Sequence, residues 1–245
     1  MPNEIVTSRL RLFPLLFAAL LALLSGCATP PSYRQAASFD LNSLRSVVIL
    51  PIDVEVSELS AGGTIEKRDD WTAQVVEHIN AIVLEQYHYR HAFREPADVA
   101  DDLARTRDEL APLYRAISLN QVLHTYNPAF PRVSATTGPL GYQTGSLAAF
   151  LEKQKADAVL IVYVRDDYAT AGRKSLAVLG VIAGIPIRTG VTGASAALVN
   201  AKGDLVWMNI HAAQTGDLRT RQGAETLVAR LLVGAPKLDT ANAKP

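Results

Sequence analysis

Residues 158 to 164 read Ala158-Val159-Leu160-Ile161-Val162-Tyr163-Val164, an unbroken apolar run in a chain of 245 residues. Successive side chains of a strand point to opposite faces, so a strand of this composition must be covered on both. The run excludes a sheet with one face open to water. Val47-Val48-Ile49-Leu50 has the same character. After Pro51 the pattern alternates, with Ile52, Val54 and Val56 on one face and Asp53, Glu55 and Ser57 on the other, as where a strand leaves the covered centre. Cover has to come from helices. Trp71, Val75, Ile79, Ile82, Val83 and Gln86 recur at helical spacing behind Asp69 or Asp70 as cap. A weaker strand is expected over Tyr89 to Phe93. From Pro96 a long helical stretch carries Val99, Leu103, Leu110, Leu113 and Ile117, which Pro112 should kink or divide.

The second half of the chain continues the alternation. Asn127 to Gly145 lacks periodicity and reads as a long loop, a length that is often functional. A short helix is expected over Ser146 to Lys155, ahead of the 158–164 strand. Ala194 to Val199 and Leu205 to Ala212 flank Asn200-Ala201-Lys202-Gly203 as a hairpin. A last helix, Arg221 to Val233, places Ala224, Leu227, Val228, Leu231 and Leu232 on one side and stops at Gly234 and Pro236. The expected fold class is α/β (α+β): a mixed β-sheet packed with helices, closed by a C-terminal β-hairpin plus helix.

The amino terminus is organised differently. Arg9 and Arg11 precede Leu12 to Leu24, about thirteen uncharged residues, which suits a signal-peptide core and falls short of a spanning helix. Leu24-Ser25-Gly26-Cys27 then resembles the lipobox of bacterial lipoproteins. The resemblance implies a diacylglycerol on the Cys27 thiol, cleavage before it and acylation (palmitate) of the new amino group. The alternative, a buried helix with a core cysteine, has little to recommend it beside Ala28-Thr29-Pro30-Pro31-Ser32. Cys27 is also the only cysteine, so an exported chain has no internal disulfide to make with it. The organisation expected is a signal peptide over 1–26, a lipidated tether over 27–44, a periplasmic domain over 45–236 and a flexible tail over 237–245. Ala28 is not aspartate; by resemblance to the sorting pattern of enteric lipoproteins, this implies the outer membrane, with the domain facing the periplasm.

The lipobox, Ile49-Leu50-Pro51 and the hairpin Val199 to Trp207 together resemble periplasmic lipoproteins with the TolB amino-terminal-like α/β domain. That group includes the curli secretion-channel lipoprotein and the lipoprotein activators of penicillin-binding proteins. Arg165-Asp166-Asp167-Tyr168 followed by Gly172-Arg173 is similar to an uncharacterised subgroup. The resemblance implies a fold over about residues 45–236 and a cell-envelope address, and it brings no catalytic residue across.

Candidate chemistry is sparse. Glu85, His88, His91 and His78 straddle a change from helix to strand, so convergence on a metal would be accidental and no metal is expected. Asp166 and Asp167 stand beyond the apolar strand, where open α/β sheets place ligands; two carboxylates there form a weak ligand site, or else end the strand and cap a turn. Ser195 lacks the second glycine of a nucleophile elbow. Gly138, Gly141, Gly145 and Gly172-Arg173-Lys174-Ser175 do not make a phosphate loop. The stretch from Leu176 to Ile187 carries no charge between Lys174 and Arg188 and contains Gly180 and Gly184. It is a core element or an apolar surface for a partner, for self-association or for the bilayer; Leu179, Val181, Ile182 and Ile185 would form that surface. Twenty-four basic and 24 acidic residues balance, so no nucleic-acid partner is expected. The function expected is that of an anchored, non-enzymatic lipoprotein, without cofactor. It would bind an envelope protein or glycan, or a copy of itself. An anchored periplasmic hydrolase or small-ligand binder is the alternative.

Overall fold

The computed structural model describes residues 33–92, 101–126 (side chains from 108 to 122), 140, 142–212 and 216–238. Cys27, the signal segment, Pro96, Val99 and most of the 127–145 loop lie outside the described residues. Among those described, eight strands form one mixed sheet with five α-helices.

The apolar runs occupy the centre as their composition requires. Strand β1 (Tyr33–Gln35) comes first, within the expected tether, then β2 (Val47–Ile49) and β3 (Asp53–Leu59). Strand β4 (Ile65–Lys67) and helix α1 (Asp69–Tyr87) precede β5 (Arg90–His91) and helix α2 (Asp101–Tyr126). Helix α3 (Ala148–Gln154) leads into β6 (Ala158–Ala169) and helix α4 (Ala171–Ile182). The hairpin β7 (Thr192–Asn200) and β8 (Leu205–Ala212) is followed by helix α5 (Arg221–Leu231).

The strand order is β1-β8-β7-β6-β2-β5, with β3 continuing β2 alongside β6 and β4 antiparallel to β3. Strands β2 and β6 are parallel neighbours, Ile49 opposite Leu160. Further on, Asp53 lies opposite Tyr163, so four residues of one strand match three of the other. The extra residue falls at Pro51, which has no N–H for the ladder and is tolerated at such an irregularity. At the hairpin turn the Asn200 side chain accepts from the N–H groups of Lys202 and Asp204, at 2.9 and 3.0 Å, and so closes the loop.

Both faces are covered. Val75, Ile79, Ile82 and Val83 of α1 and Leu227, Val228 and Leu231 of α5 pack on Ile49, Leu160, Val162 and Val164. Leu110, Tyr114 and Ile117 of α2, with Phe150 and Leu151 of α3, pack on Val48, Val159 and Ile161. Each of these aliphatic side chains contributes about 1.5–3 kcal/mol on burial.

Five details bear on these expectations. Helix α1 has Arg68 as N-cap, with Asp69 and Asp70 inside its first turn. There they oppose the positive end of the helix dipole rather than cap it. Gln86 is exposed, and Tyr87 takes the buried position instead. Of the two effects expected of Pro112, a kink or a division of the helix, the division does not occur: helix α2 runs through it. Its Leu113 faces solvent, while Tyr114 reaches the core. Leu238, expected in a flexible tail, is buried, and its N–H donates to the Tyr87 carbonyl at 3.2 Å.

Candidate functional site

Strand β6 does not stop where its apolar run stops. It continues through Arg165-Asp166-Asp167-Tyr168 to Ala169, paired with β3 as far as Ala169 on one side and with β7 as far as Asp166 on the other. This corrects the expectation of carboxylates beyond the strand: Asp166 and Asp167 lie within it and are buried. The ladder's backbone hydrogen bonds carry the strand past the end of its hydrophobic segment.

As neighbours on a strand, the two carboxylates point to opposite faces. Asp166 accepts a hydrogen bond from Thr192 Oγ1 at 2.7 Å. Asp167 lies on the α2 side, 3.6 Å from Arg165 Nε and 3.7 Å from an Arg188 guanidinium nitrogen. Gly190 crosses directly over it: a Cβ there would stand 1.9 Å from the Asp167 carbonyl oxygen, so this position requires glycine. The two carboxylates thus have different partners on the two faces of the sheet. A cavity of about 160 Å³ opens beside Asp166, with Asp167, Thr192, Lys174 and Asp217 also in its lining. A larger cleft of about 370 Å³, lined by Tyr163, Arg165, Asp167 and Arg188, lies on the α2 side.

Burial pushes the Asp166 carboxyl up to about 6; the Thr192 hydrogen bond opposes this, while Asp167 and Asp217 add to it. An acid with a raised folded-state pKa holds its proton more tightly folded than unfolded. Stability therefore falls as pH rises from about 4 to about 6, by on the order of 3 kcal/mol. Asp166→Asn keeps an acceptor for Thr192 and removes the charge. We expect thermal melts at pH 7.5 to rise by roughly 5 °C or more, and the two proteins to converge near pH 4. A variant less stable than the parent at pH 7.5 would show that the ionised carboxylate is favoured here.

Beside this cavity stands an arrangement that sequence reading missed. Trp71 meets Tyr168 edge-on at 6.0 Å between ring centroids. Arg68 lies 4.0 Å and Arg219 4.2 Å from the Trp71 centroid, and Arg219 and Lys174 lie 4.3 and 4.2 Å from that of Tyr168. Asp217 holds Arg219 through two hydrogen bonds of 2.8 and 2.7 Å. Such cation–π contacts tie α1, β6, α4 and the segment before α5 together. Their members come from residues 68–71, 168–174 and 217–219, and no local motif announces them.

Helix α4 follows directly from the end of β6. Thr170 caps it by accepting from the Arg173 N–H at 3.2 Å. The Arg173 side chain then donates to the carbonyls of Arg188 and Ala61. Beyond this root, only Ala177 and Gly180 are buried. The chain folds back on the helix, Ile185 N–H donating to the Gly180 carbonyl at 2.7 Å. A Cβ at Gly180 would lie 2.5 Å from the Ile185 carbonyl oxygen, so glycine permits the reversal. The outcome is an apolar knob: Leu179, Val181, Ile182 and Ile185 are 60%, 75%, 79% and 61% exposed, with Val178 at 63%. These side chains are not core.

The remaining candidates stay apart. Glu85 pairs with Arg221, and His88 ends α1 in the left-handed conformation, while His91 lies in β5. No group of three histidine, cysteine, aspartate or glutamate side chains among the described residues is placed to share a metal. Ser195 is fully buried and hydrogen-bonded to Ser118 at 2.5 Å.

No protein-family model matches this chain, and no curated protein matches it. Among solved structures it is similar to a PelC dodecamer from Paraburkholderia phytofirmans, at 13% identity over 85% of this chain and 96% of that one, with a TM-score of 0.36. A variant of that protein, also a dodecamer, matches at 14% identity over 83% and 98% of the chains, with a TM-score of 0.34. The likeness is distant.

Proposed function

We propose that this protein is a lipid-anchored lipoprotein of the bacterial outer membrane. Its periplasmic α/β domain works by binding another cell-envelope component rather than by catalysis. The α4 knob carries the reading. Monomeric soluble proteins rarely gather exposed aliphatic side chains into one contiguous surface, and where they do, the surface is commonly an interaction site. The polar candidates support the same reading, since Asp166 and Asp167 diverge and Ser195 is out of reach of solvent.

The test is complementation of a deletion strain. Alanine at Asp166, Asp167, His88 or His91 is expected to leave function intact. Lysine at Val181 or Ile182 should abolish it while the melting temperature stays within about 1 °C, because exposed positions contribute little to stability. Loss of function from one of the alanine variants in a folded protein would favour the anchored hydrolase instead.

A further inference from the structure

We infer that the α4 knob seats on the surface of a lipid bilayer carrying anionic phospholipid, the same bilayer that holds the acylated Cys27. The inference rests on the anchored-binding reading and names the component this surface meets.

The path of the chain is the first argument. Strand β8 runs antiparallel to β7, and β7 to β6, so the Ala212 end of β8 lies with the Ala169 end of β6, from which α4 emerges. Strand β1 pairs Gln35 with Trp207 and Tyr33 with Asn209. Read backwards, β1 therefore heads toward that same end. About six residues separate Tyr33 from Cys27, a reach of at most about 20 Å. A short tether leaving at the α4 end turns that end toward the membrane. It also holds the knob at a high effective concentration there, so weak intrinsic affinity suffices.

Charge is the second. No acidic residue occurs from Thr170 to Arg188, and Arg173, Lys174 and Arg188 flank the apolar segment, with Lys174 and Arg188 exposed although Arg188 lies 3.7 Å from Asp167 and Lys174 beside Asp217. Among the described residues, the Arg173 side chain donates to neutral carbonyls, those of Arg188 and Ala61. An apolar centre flanked by basic residues fits acyl chains beneath anionic headgroups. A second copy of the same surface would bring cations against cations. Nor is the knob a spanning element: no helix among the described residues is long and apolar enough to cross a membrane.

The test uses the mature lipidated chain reconstituted in vesicles of phosphatidylethanolamine and phosphatidylglycerol. With Cys27 acylated, Ile182→Cys supplies a single thiol for a nitroxide. Lys202→Cys, in the turn at the opposite end of the sheet, supplies the control. We expect the probe at 182 to be several-fold more accessible to oxygen than to a water-soluble nickel complex, the probe at 202 to show the reverse, and neither spectrum to be broadened at low protein density. A probe at 182 shielded from both reagents, or broadened by neighbouring spins, would overturn the bilayer in favour of a protein partner or a second copy and leave the binding reading standing. A probe at 182 as open to nickel as that at 202 would overturn the inference outright. Should lysine at Val181 or Ile182 also complement fully, the binding reading would fall as well. Failure of the unsubstituted chain to stay on the vesicles would remove the anchor, and the inference with it.

Discussion

Leu160→Asp is expected to abolish the folded state. Leu160 is fully buried, lies between Ile49 of β2 and Leu198 of β7, and packs under α1 and α5. Removing such a side chain costs about 2–5 kcal/mol in lost burial and cavity formation. An unpaired carboxylate adds a further several kcal/mol, through desolvation or through the protonation needed to avoid it. Together these approach or exceed the 5–15 kcal/mol that holds a typical domain together. Far-ultraviolet circular dichroism should show no cooperative melt. Buried Trp207 should report loss of its apolar surroundings by a red shift in fluorescence. Leu160→Met, which conserves volume, should melt within about 1.5 kcal/mol of the parent. A cooperative melt of the aspartate variant near the parent's temperature would place Leu160 outside the core.

Cys27→Ser is expected to have the second large effect, on location rather than stability. Each buried methylene contributes about 0.8 kcal/mol to membrane attachment, and stable anchoring takes about two acyl signals. Removing the thiol removes every chain at once. The variant should leave the membrane pellet for the soluble periplasm or stall unprocessed, and incorporation of labelled fatty acid should vanish. A normally cleaved variant that remains tightly bound to membranes after a high-salt wash would mean that something other than lipid anchors the chain. The knob alone is a weak attachment, so residual binding that salt releases is expected.

What the sequence made legible follows from the strength of each signal. Two uninterrupted apolar runs can be satisfied only at the centre of a covered sheet, and β2 and β6 are neighbours there. Period and turn chemistry place α1, α5 and the β7–β8 hairpin. Legibility ends where partners are distant in sequence. Asp166 and Asp167 look like loop residues because local composition says nothing of the β3 and β7 ladders that keep β6 extended past Val164. Residues 33–35 look like tether because three residues carry no period, and only the edge of β8 makes them a strand. Pro112 leaves α2 undivided, since Tyr114, Ile117 and Leu110 fix the helix on the sheet. In the candidate site, the uncharged 176–187 segment was visible as a feature, but not its exposure. That depends on the reversal over Gly180, which turns a core-like sequence outward.

The sheet's shortest members bear on how copies of the domain would meet on a membrane under the proposed anchoring. Among the described residues, strand β1 at one border has three residues, β5 at the other has two, and β4, flanking β3, has three with all of them exposed. An edge of two or three residues offers too few unpaired N–H and C=O groups to template a neighbouring chain. Lys67 and Glu66 place charge on β4 as well. Copies confined to one plane meet far more often than molecules free in solution, so a long bare edge would invite growth of sheets from one copy into the next. With the proposed anchor, borders this short would let the domains crowd together while each keeps its strands to itself.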